Sequence, residues 1–215
     1  MKVRCWLRLG GEMVLWSVLV ALIFLAYNLL RMTGLDLPGL LSVFPYYILF
    51  GAAVFSALMG TTAYQTYLPV YLSLGSTRRD AMAGIHLMQL VLTVGCTVLA
   101  ALLCLLVPGD PAHDLLPLLP AAFFGLLLLA KFGSLLGCGL LTLPRAGKVL
   151  CVILVSLFSG AAGFCAFTLV DTLTEQATLS LPTGMTLALA AVLVILLAIE
   201  IPWQRRILLR YEVKL

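Results

Sequence analysis

Residues 81–107, which read AMAGIHLMQLVLTVGCTVLAALLCLLV, contain no Asp, Glu, Lys or Arg. At about 1.5 Å per residue, a helix of this length is long enough to cross the hydrocarbon core of a bilayer, which is about 30 Å thick. Arg78 and Arg79 stand just before this stretch, and the turn-forming pair Pro108 and Gly109 follows it. The stretch therefore predicts a membrane-spanning helix with a defined beginning and end.

Five further stretches have the same character, and the overall composition agrees with them. Of the 215 residues, 63% are hydrophobic and 10% are charged, and the mean hydropathy is +1.15. Such a chain has too little polar surface to cover a water-soluble globule. No linker or soluble module interrupts residues 1–215, so the sequence predicts one all-α domain, a polytopic membrane protein with six transmembrane helices. The predicted spans are residues 13–30, 40–59, 81–107, 121–143, 149–169 and 183–199.

Eleven of the thirteen basic residues lie on one side of this arrangement, which leaves Arg31 on the other side and Lys131 within a span. Short cytoplasmic loops of membrane proteins carry an excess of Lys and Arg. That side is therefore predicted to be the cytoplasm, with both termini inside and the protein in the cell membrane. The net charge of +4 then reflects topology and attraction to membrane lipid, and no nucleic-acid partner is expected. The basic residues on this side are Lys2, Arg4, Arg8, Arg78, Arg79, Arg145, Lys148, Arg205, Arg206, Arg210 and Lys214.

The connection between the second and third spans, residues 61–80, carries the clearest local signals. Pro69 suits the first position of a helix, and Gly75 suits the left-handed residue just after a helix end. Thr77 and Asp80 have the spacing of a capping box for the third span. The connection is therefore predicted to hold a short separate helix at the membrane surface. A simple interfacial loop with aromatic anchors and two orientation-setting arginines is the alternative. The tyrosines suit an interface between lipid, protein and water, and they are Tyr64, Tyr67 and Tyr71.

The run from Leu68 to Asp80, LPVYLSLGSTRRD, resembles the cytoplasmic loop of small ABC exporter permeases of the type-2 class. In that family a Gly, a small residue, Thr, Arg and a second basic residue precede the third span. The rest of the chain agrees with the family in its architecture alone. The resemblance implies a permease subunit that pairs with a second permease subunit, as a homodimer or heterodimer, and that binds a cytoplasmic ABC ATPase. The coupling residues it implies are Pro69, Tyr71, Leu72, Leu74, Gly75, Thr77, Arg78, Arg79 and Asp80.

The 215 residues contain no phosphate-binding loop of the form G-x-x-x-x-G-K-[ST]. The nearest match, at Gly147 and Lys148, has Thr142 in place of the first glycine and Val149 in place of the hydroxyl residue. ATP and magnesium are therefore expected in the partner ATPase, and this chain is expected to bind no cofactor or metal and not to be an enzyme. Asp80 is the acidic residue available in the coupling segment, where family members often carry one.

Residues 1–12 alternate cations with apolar side chains. The pattern of Arg4, Trp6 and Arg8 fits an amphipathic helix in the cytoplasmic leaflet, with Trp6 at the level of the lipid headgroups. A basic flank that merely orients the first span explains the pattern equally well. Both interpretations assign Trp6, Arg4 and Arg8 to the membrane interface.

Lys131 is the one fully charged side chain inside a predicted span. It lies too deep for its ammonium group to reach the membrane surface, so it is expected to face protein or water. With Asp171 and Glu200 placed at span ends and Pro202 as a helix stop, no carboxylate is expected at its depth. A substrate, a lipid headgroup or a partner subunit would then supply its counter-charge. The alternatives are a neutral lysine, hydrogen bonds to backbone and hydroxyl groups, or a helix that starts elsewhere. A polar stripe on the third span is expected to turn inward, either as a hydrogen-bond network or as part of a substrate pathway with Lys131; it consists of His86, Gln89 and Thr93.

Three other functions are compatible with six spans. An intramembrane enzyme would need converging catalytic groups, and the sequence has no H-E-x-x-H or G-x-S-x-G motif. A substrate-capture subunit of a vitamin-type uptake transporter would bind its ligand from the outside, yet the outer loops are short and poor in aromatic residues. A membrane immunity or scaffold protein without transport activity is the third alternative.

Overall fold

The computed structural model describes residues 2–31, 37–73, 75–107, 115–144 and 183–210, with the single positions 147, 149 and 153. Every described element is helical. A π-helical segment joins α2 to α3, and a short 3-10 turn, Leu116–Leu118, leads into α5. The helices are α1 (Lys2–Arg31), α2 (Leu37–Thr62), the π segment (Ala63–Tyr67), α3 (Leu68–Ser73), α4 (Arg78–Leu106), α5 (Leu119–Leu140) and α6 (Thr183–Arg210).

Five helical stretches are long and apolar enough to cross a membrane. Their outer faces carry exposed apolar side chains, for example Leu15 at 69% exposure and Leu105 at 67%. A water-soluble surface rarely presents contiguous apolar patches of this kind, whereas a lipid-facing surface does. The structure therefore fits a multi-pass membrane protein. Five of the six predicted spans correspond to described helices, and the predicted span at 149–169 lies outside the described residues except for 149 and 153.

Helix α2 lies at the centre of the described bundle, packed against α1, α4 and α5, and α6 packs on α5. Small residues bring α2 and α5 into backbone contact. A Cβ atom at Gly60 would lie 2.6 Å from the carbonyl oxygen of Ala130, and one at Gly137 would lie 2.6 Å from that of Gly60. Glycine is therefore required at this crossing, because a side chain would force the two helices apart.

The basic ends of several helices lie at one end of the bundle. Trp6 near the start of α1, Ala81 near the start of α4 and Cys138 near the end of α5 share one buried core, against which Ile207 of α6 packs. The arginines next to these residues therefore lie at the same end of the molecule. They are Arg4, Arg8, Arg78, Arg79, Arg205 and Arg206.

Two predicted helix boundaries are wrong. The helix predicted to begin at Pro69 is continuous with the second span, because the π segment widens the turn just before the proline. A proline inside an α-helix has no N–H to donate and clashes with the carbonyl four residues back, and a π turn at this point relieves both problems. The sixth span does not stop at Ile199, since α6 continues through Glu200 and Pro202 to Arg210.

Candidate functional site

Buried polar side chains concentrate where the π segment, α4, α5 and α6 meet. We call this group the polar cluster. Lys131 is 7% exposed, Gln89 is 1% exposed, and Ser134, Glu200 and Gln204 are fully buried. The members of the cluster are Tyr64, His86, Gln89, Lys131, Ser134, Glu200 and Gln204.

Lys131 faces protein, as the sequence predicts, and it is held by α4. Its ammonium Nζ lies 2.5 Å from His86 Nδ1 and donates to Gln89 Oε1 at 2.9 Å. An ammonium group can only donate hydrogen bonds, so Nδ1 of His86 is the acceptor. The ring proton of a neutral His86 is therefore on Nε2.

Gln89 joins α4 to α5. Its Nε2 donates to Ser134 Oγ at 2.5 Å and to the backbone carbonyl of Ala130 at 3.2 Å. The predicted stripe on α4 does turn inward, because Gln89 and Thr93 are buried and His86 is half-buried. Thr93 does not reach Lys131; its hydroxyl donates to the carbonyl of Gln89 on its own helix at 3.0 Å.

Helix α6 supplies a carboxylate that the sequence prediction placed at a span end. Glu200 is fully buried and lies close enough to Lys131 to interact with it electrostatically. The expectation that no carboxylate lies at the depth of Lys131 is therefore wrong. The sequence predicts Pro202 as a helix stop, but the helix continues with apolar residues past Glu200, and they are Ile201, Trp203 and Ile207. These residues are the signal that could have identified Glu200 as an intramembrane residue.

Several buried atoms of the polar cluster have no hydrogen-bond partner among the described residues. They are Tyr64 OH, His86 Nε2, Glu200 Oε2 and Gln204 Oε1. Gln204 is at the centre of this group, since Tyr64 and His86 both lie near it and its Nε2 donates to Glu200 Oε1. Buried polar groups in proteins are normally paired, so this set of atoms is unusual among the described residues.

The described part of the predicted coupling segment forms a capped turn at residues 73 and 75–80, which we call the tip. Gly75 has a φ of +77°, and the N–H groups of Gly75 and Ser76 donate to the carbonyls of Leu72 and Tyr71, at 3.1 and 3.0 Å. This pattern ends a helix at a left-handed glycine, as predicted. Thr77 Oγ1 accepts from the Asp80 N–H at 3.1 Å and caps α4.

The coupling residues divide between the surface and the core. Gly75, Thr77, Arg79 and Asp80 are exposed at the tip, and Arg78 is half-buried. Pro69, Tyr71 and Leu72 are partly buried, and the last two pack against the buried core at this end of the bundle. Leu74 lies outside the described residues.

Trp6 is buried against protein. The indole is 3% exposed and stacks on Tyr71 with ring centroids 4.1 Å apart. A Cβ atom at Gly84 would overlap this indole, so glycine makes the notch that receives it. We call Trp6, Tyr71 and Gly84 the aromatic clamp. These contacts form because α1 is one unbroken helix whose first turns pack on α3 and α4. The membrane depth of Trp6 stays a prediction.

The other two interface residues are exposed. Arg4 is open to solvent or headgroups, and Arg8 pairs with Glu12 one turn later at 3.0 Å. The unbroken α1 agrees with a basic flank that extends the first span. Tyr64, predicted as an interface tyrosine, is instead fully buried in the polar cluster.

The polar side chains of the site make hydrogen bonds with one another across three helices. Within the described residues, no group of three or more His, Cys, Asp or Glu side chains comes together to hold a metal ion. When it is ionised, Glu200 is an opposite charge for Lys131 inside the protein. Comparisons with protein-family models, curated proteins and solved structures find no match for this chain.

Proposed function

We propose that the chain is the transmembrane permease subunit of an ATP-driven exporter of the type-2 ABC class. The observation that carries the proposal is the tip, a capped turn whose two helical limbs each bear residues of the polar cluster. Tyr64 lies on the limb that leads into the tip and His86 on the limb that leaves it. A force applied to the tip would therefore reach the cluster along two rigid paths.

The two paths are short. From Ser73 back to Tyr64 is about 14 Å, and from Asp80 on to His86 is about 9 Å, at about 1.5 Å per helical residue. Helices transmit displacement over such distances as packed rigid bodies. The aromatic clamp adds α1 to the same unit, because Trp6 contacts both limbs through Tyr71 and Gly84.

The partner that fits the exposed tip is a cytoplasmic ABC ATPase, which would bind ATP and magnesium. The tip then faces the cytoplasm together with the basic flanks, and the chain lies in the cell membrane with six spans and both termini inside. A second permease subunit would complete the transporter, as a homodimer or heterodimer. Lys131, His86 and Gln89 would lie beside the substrate pathway, with Thr93 one turn further along α4.

A site-specific photo-crosslink tests the proposed partner. Arg79, exposed at the tip, is replaced by a photo-crosslinking amino acid in the full chain, which is expressed in its own cells and illuminated. The same replacement at Leu106, 75% exposed at the other end of α4, is the control. We expect an adduct at position 79 whose mass-spectrometric sequence contains a G-x-x-x-x-G-K-[ST] loop, and none at position 106. A tip that crosslinks to lipid alone contradicts the proposal.

Gly75→Val tests the coupling role. A β-branched residue at a φ of +77° is strained, so the turn should lose its shape while the spans remain. Gly139→Val, at a glycine with open space around its Cβ position and no positive φ, is the matched control. We expect Gly75→Val to separate ATP hydrolysis from transport in vesicles that contain the crosslinked ATPase, and Gly139→Val to keep both. Unchanged coupling in Gly75→Val removes the role of the tip.

A further inference from the structure

Two buried acceptor atoms on α6 lack a hydrogen-bond donor. Glu200 and Gln204 are four residues apart, so their side chains lie on the same face of the helix. Gln204 Nε2 donates to Glu200 Oε1, but Glu200 Oε2 and Gln204 Oε1 have no partner among the described residues, and both side chains are fully buried. One hydrogen bond therefore joins the amide to the carboxyl group, and one acceptor oxygen on each side chain has no donor.

An ionised Glu200 is poorly solvated in this position. A carboxylate can accept about four hydrogen bonds. This one has the bond from Gln204 and the nearby Ser134 hydroxyl. Lys131 is attracted to it electrostatically, but the Lys131 ammonium is engaged with His86 and Gln89. A buried charge with so few donors is unfavourable.

One proton added to Glu200 gives both of these oxygens a hydrogen-bond partner. A carboxylic acid has one O–H donor beside its carbonyl acceptor. With the proton on Oε2, Glu200 donates to Gln204 Oε1 while its Oε1 still accepts from Gln204 Nε2. The acid and the amide then form a closed pair of complementary hydrogen bonds, and neither acceptor remains unpartnered.

We propose that Glu200 is a proton-binding site inside the membrane and that it forms this acid–amide pair with Gln204 when the proton is bound. The proton comes from water and returns to water, and no other group is consumed. When the proton leaves, the carboxylate carries a full charge next to Lys131. The attraction then draws the ammonium of Lys131 away from His86 and Gln89, so proton release at α6 changes the contacts between α4 and α5.

The titratable groups around Glu200 come from each helix that contributes to the cluster. Lys131 and Cys138 face it from α5, and Tyr64 faces it from the π segment. His86 on α4 faces Gln204 and Lys131. The ionised carboxylate attracts the Lys131 ammonium, whereas the protonated acid makes both hydrogen bonds with Gln204.

Chemical labelling of the purified full chain in lipid vesicles tests the site without any partner protein. Dicyclohexylcarbodiimide reacts with protonated carboxyl groups in apolar surroundings, and mass spectrometry locates the adduct. We expect modification at Glu200 that decreases as the pH of the buffer rises, and none at this position in Glu200→Gln. Glu12, half-buried in its ion pair with Arg8, is the internal control and should remain unmodified.

Infrared spectroscopy covers the case in which the reagent does not reach Glu200. A protonated carboxyl has a C=O stretching band that an ionised one lacks, and Glu200→Gln removes it. Gln204→Leu should move this band to higher frequency, because the carbonyl loses the amide hydrogen bond. Gln65→Leu is the matched control and should leave the band in place.

Absence of both the adduct and the band overturns proton binding, and a band unmoved in Gln204→Leu overturns the acid–amide pair. Either outcome is independent of whether an ATPase crosslinks to the tip.

Discussion

The aromatic clamp and the polar cluster are built on the same two helical limbs, but their groups are partnered to different degrees. In the clamp, Trp6 fills the notch at Gly84 and stacks on Tyr71. In the cluster, four buried polar atoms have no partner among the described residues. Apolar contacts need only complementary shape, whereas each polar atom needs a bond of its own. The clamp is therefore a fixed joint, and the cluster has capacity to bind a proton or a ligand.

Breaking the clamp should have the largest effect on stability. Trp6→Ala leaves a cavity between α1, α3 and α4 and should lower the free energy of unfolding by about 3 kcal/mol. Trp16→Ala is the matched control on the same helix, because that indole is 53% exposed. Thermal unfolding in detergent, followed by circular dichroism, measures both. Equal losses in the two variants would show that the clamp is not a fixed joint.

Two glutamine variants compare a glutamine that is bonded within the polar cluster with one that lies outside the cluster. Gln89→Leu leaves the Lys131 ammonium and the Ser134 hydroxyl with fewer partners, so we expect a loss of about 2 kcal/mol. Gln65→Leu removes an Nε2 that has no partner among the described residues, and we expect no loss or a small gain. The same unfolding measurement compares them. A loss in Gln65→Leu as large as that in Gln89→Leu would contradict the bonding described for Gln89.

The smallest effect is expected at the tip, which connects the two limbs. Thr77→Ala removes the side-chain cap of α4 and should cost about 1 kcal/mol. Faster hydrogen exchange of the amides in the first turn of α4 should accompany the loss. Thr142→Ala serves as the control. Thr142 lies just after α5, and its exposed hydroxyl donates to the carbonyl of Gly139. Unchanged exchange in Thr77→Ala would mean that the cap does not hold this end of α4.

The parts of the site that the sequence predicted correctly depend on local pattern. The positive φ of Gly75 and the cap at Thr77 follow from residue types at fixed spacing, and the structure has both. The inward direction of Gln89 and the need of Lys131 for protein contacts follow from helical periodicity and from the energetics of a buried charge. The boundary at Pro69 was mispredicted because a proline marks a helix start and a π turn equally well.

The parts that the sequence missed depend on which helices are neighbours. Glu200 is predicted at a span end because it is charged, and the opposite charge near it, Lys131, lies on another helix. Trp6 packs against a glycine that is far away in the chain, at residue 84. The apolar residues after Glu200 indicate that the span continues, but the sequence near Glu200 or Trp6 does not indicate which helix either side chain contacts.

The sequence alone determined that this chain is helical and built for lipid, because uncharged runs of sufficient length have no other way to satisfy their backbone in a membrane. It also determined the glycine turn after α3 and the Thr77 cap of α4, which are local. The tertiary structure alone decided that Lys131, His86 and Gln89 meet Glu200 and Gln204, and that Trp6 fits against Gly84. The physical reason is that helix neighbours are chosen by packing between distant segments, where a glycine or a buried polar atom acts on a partner many residues away.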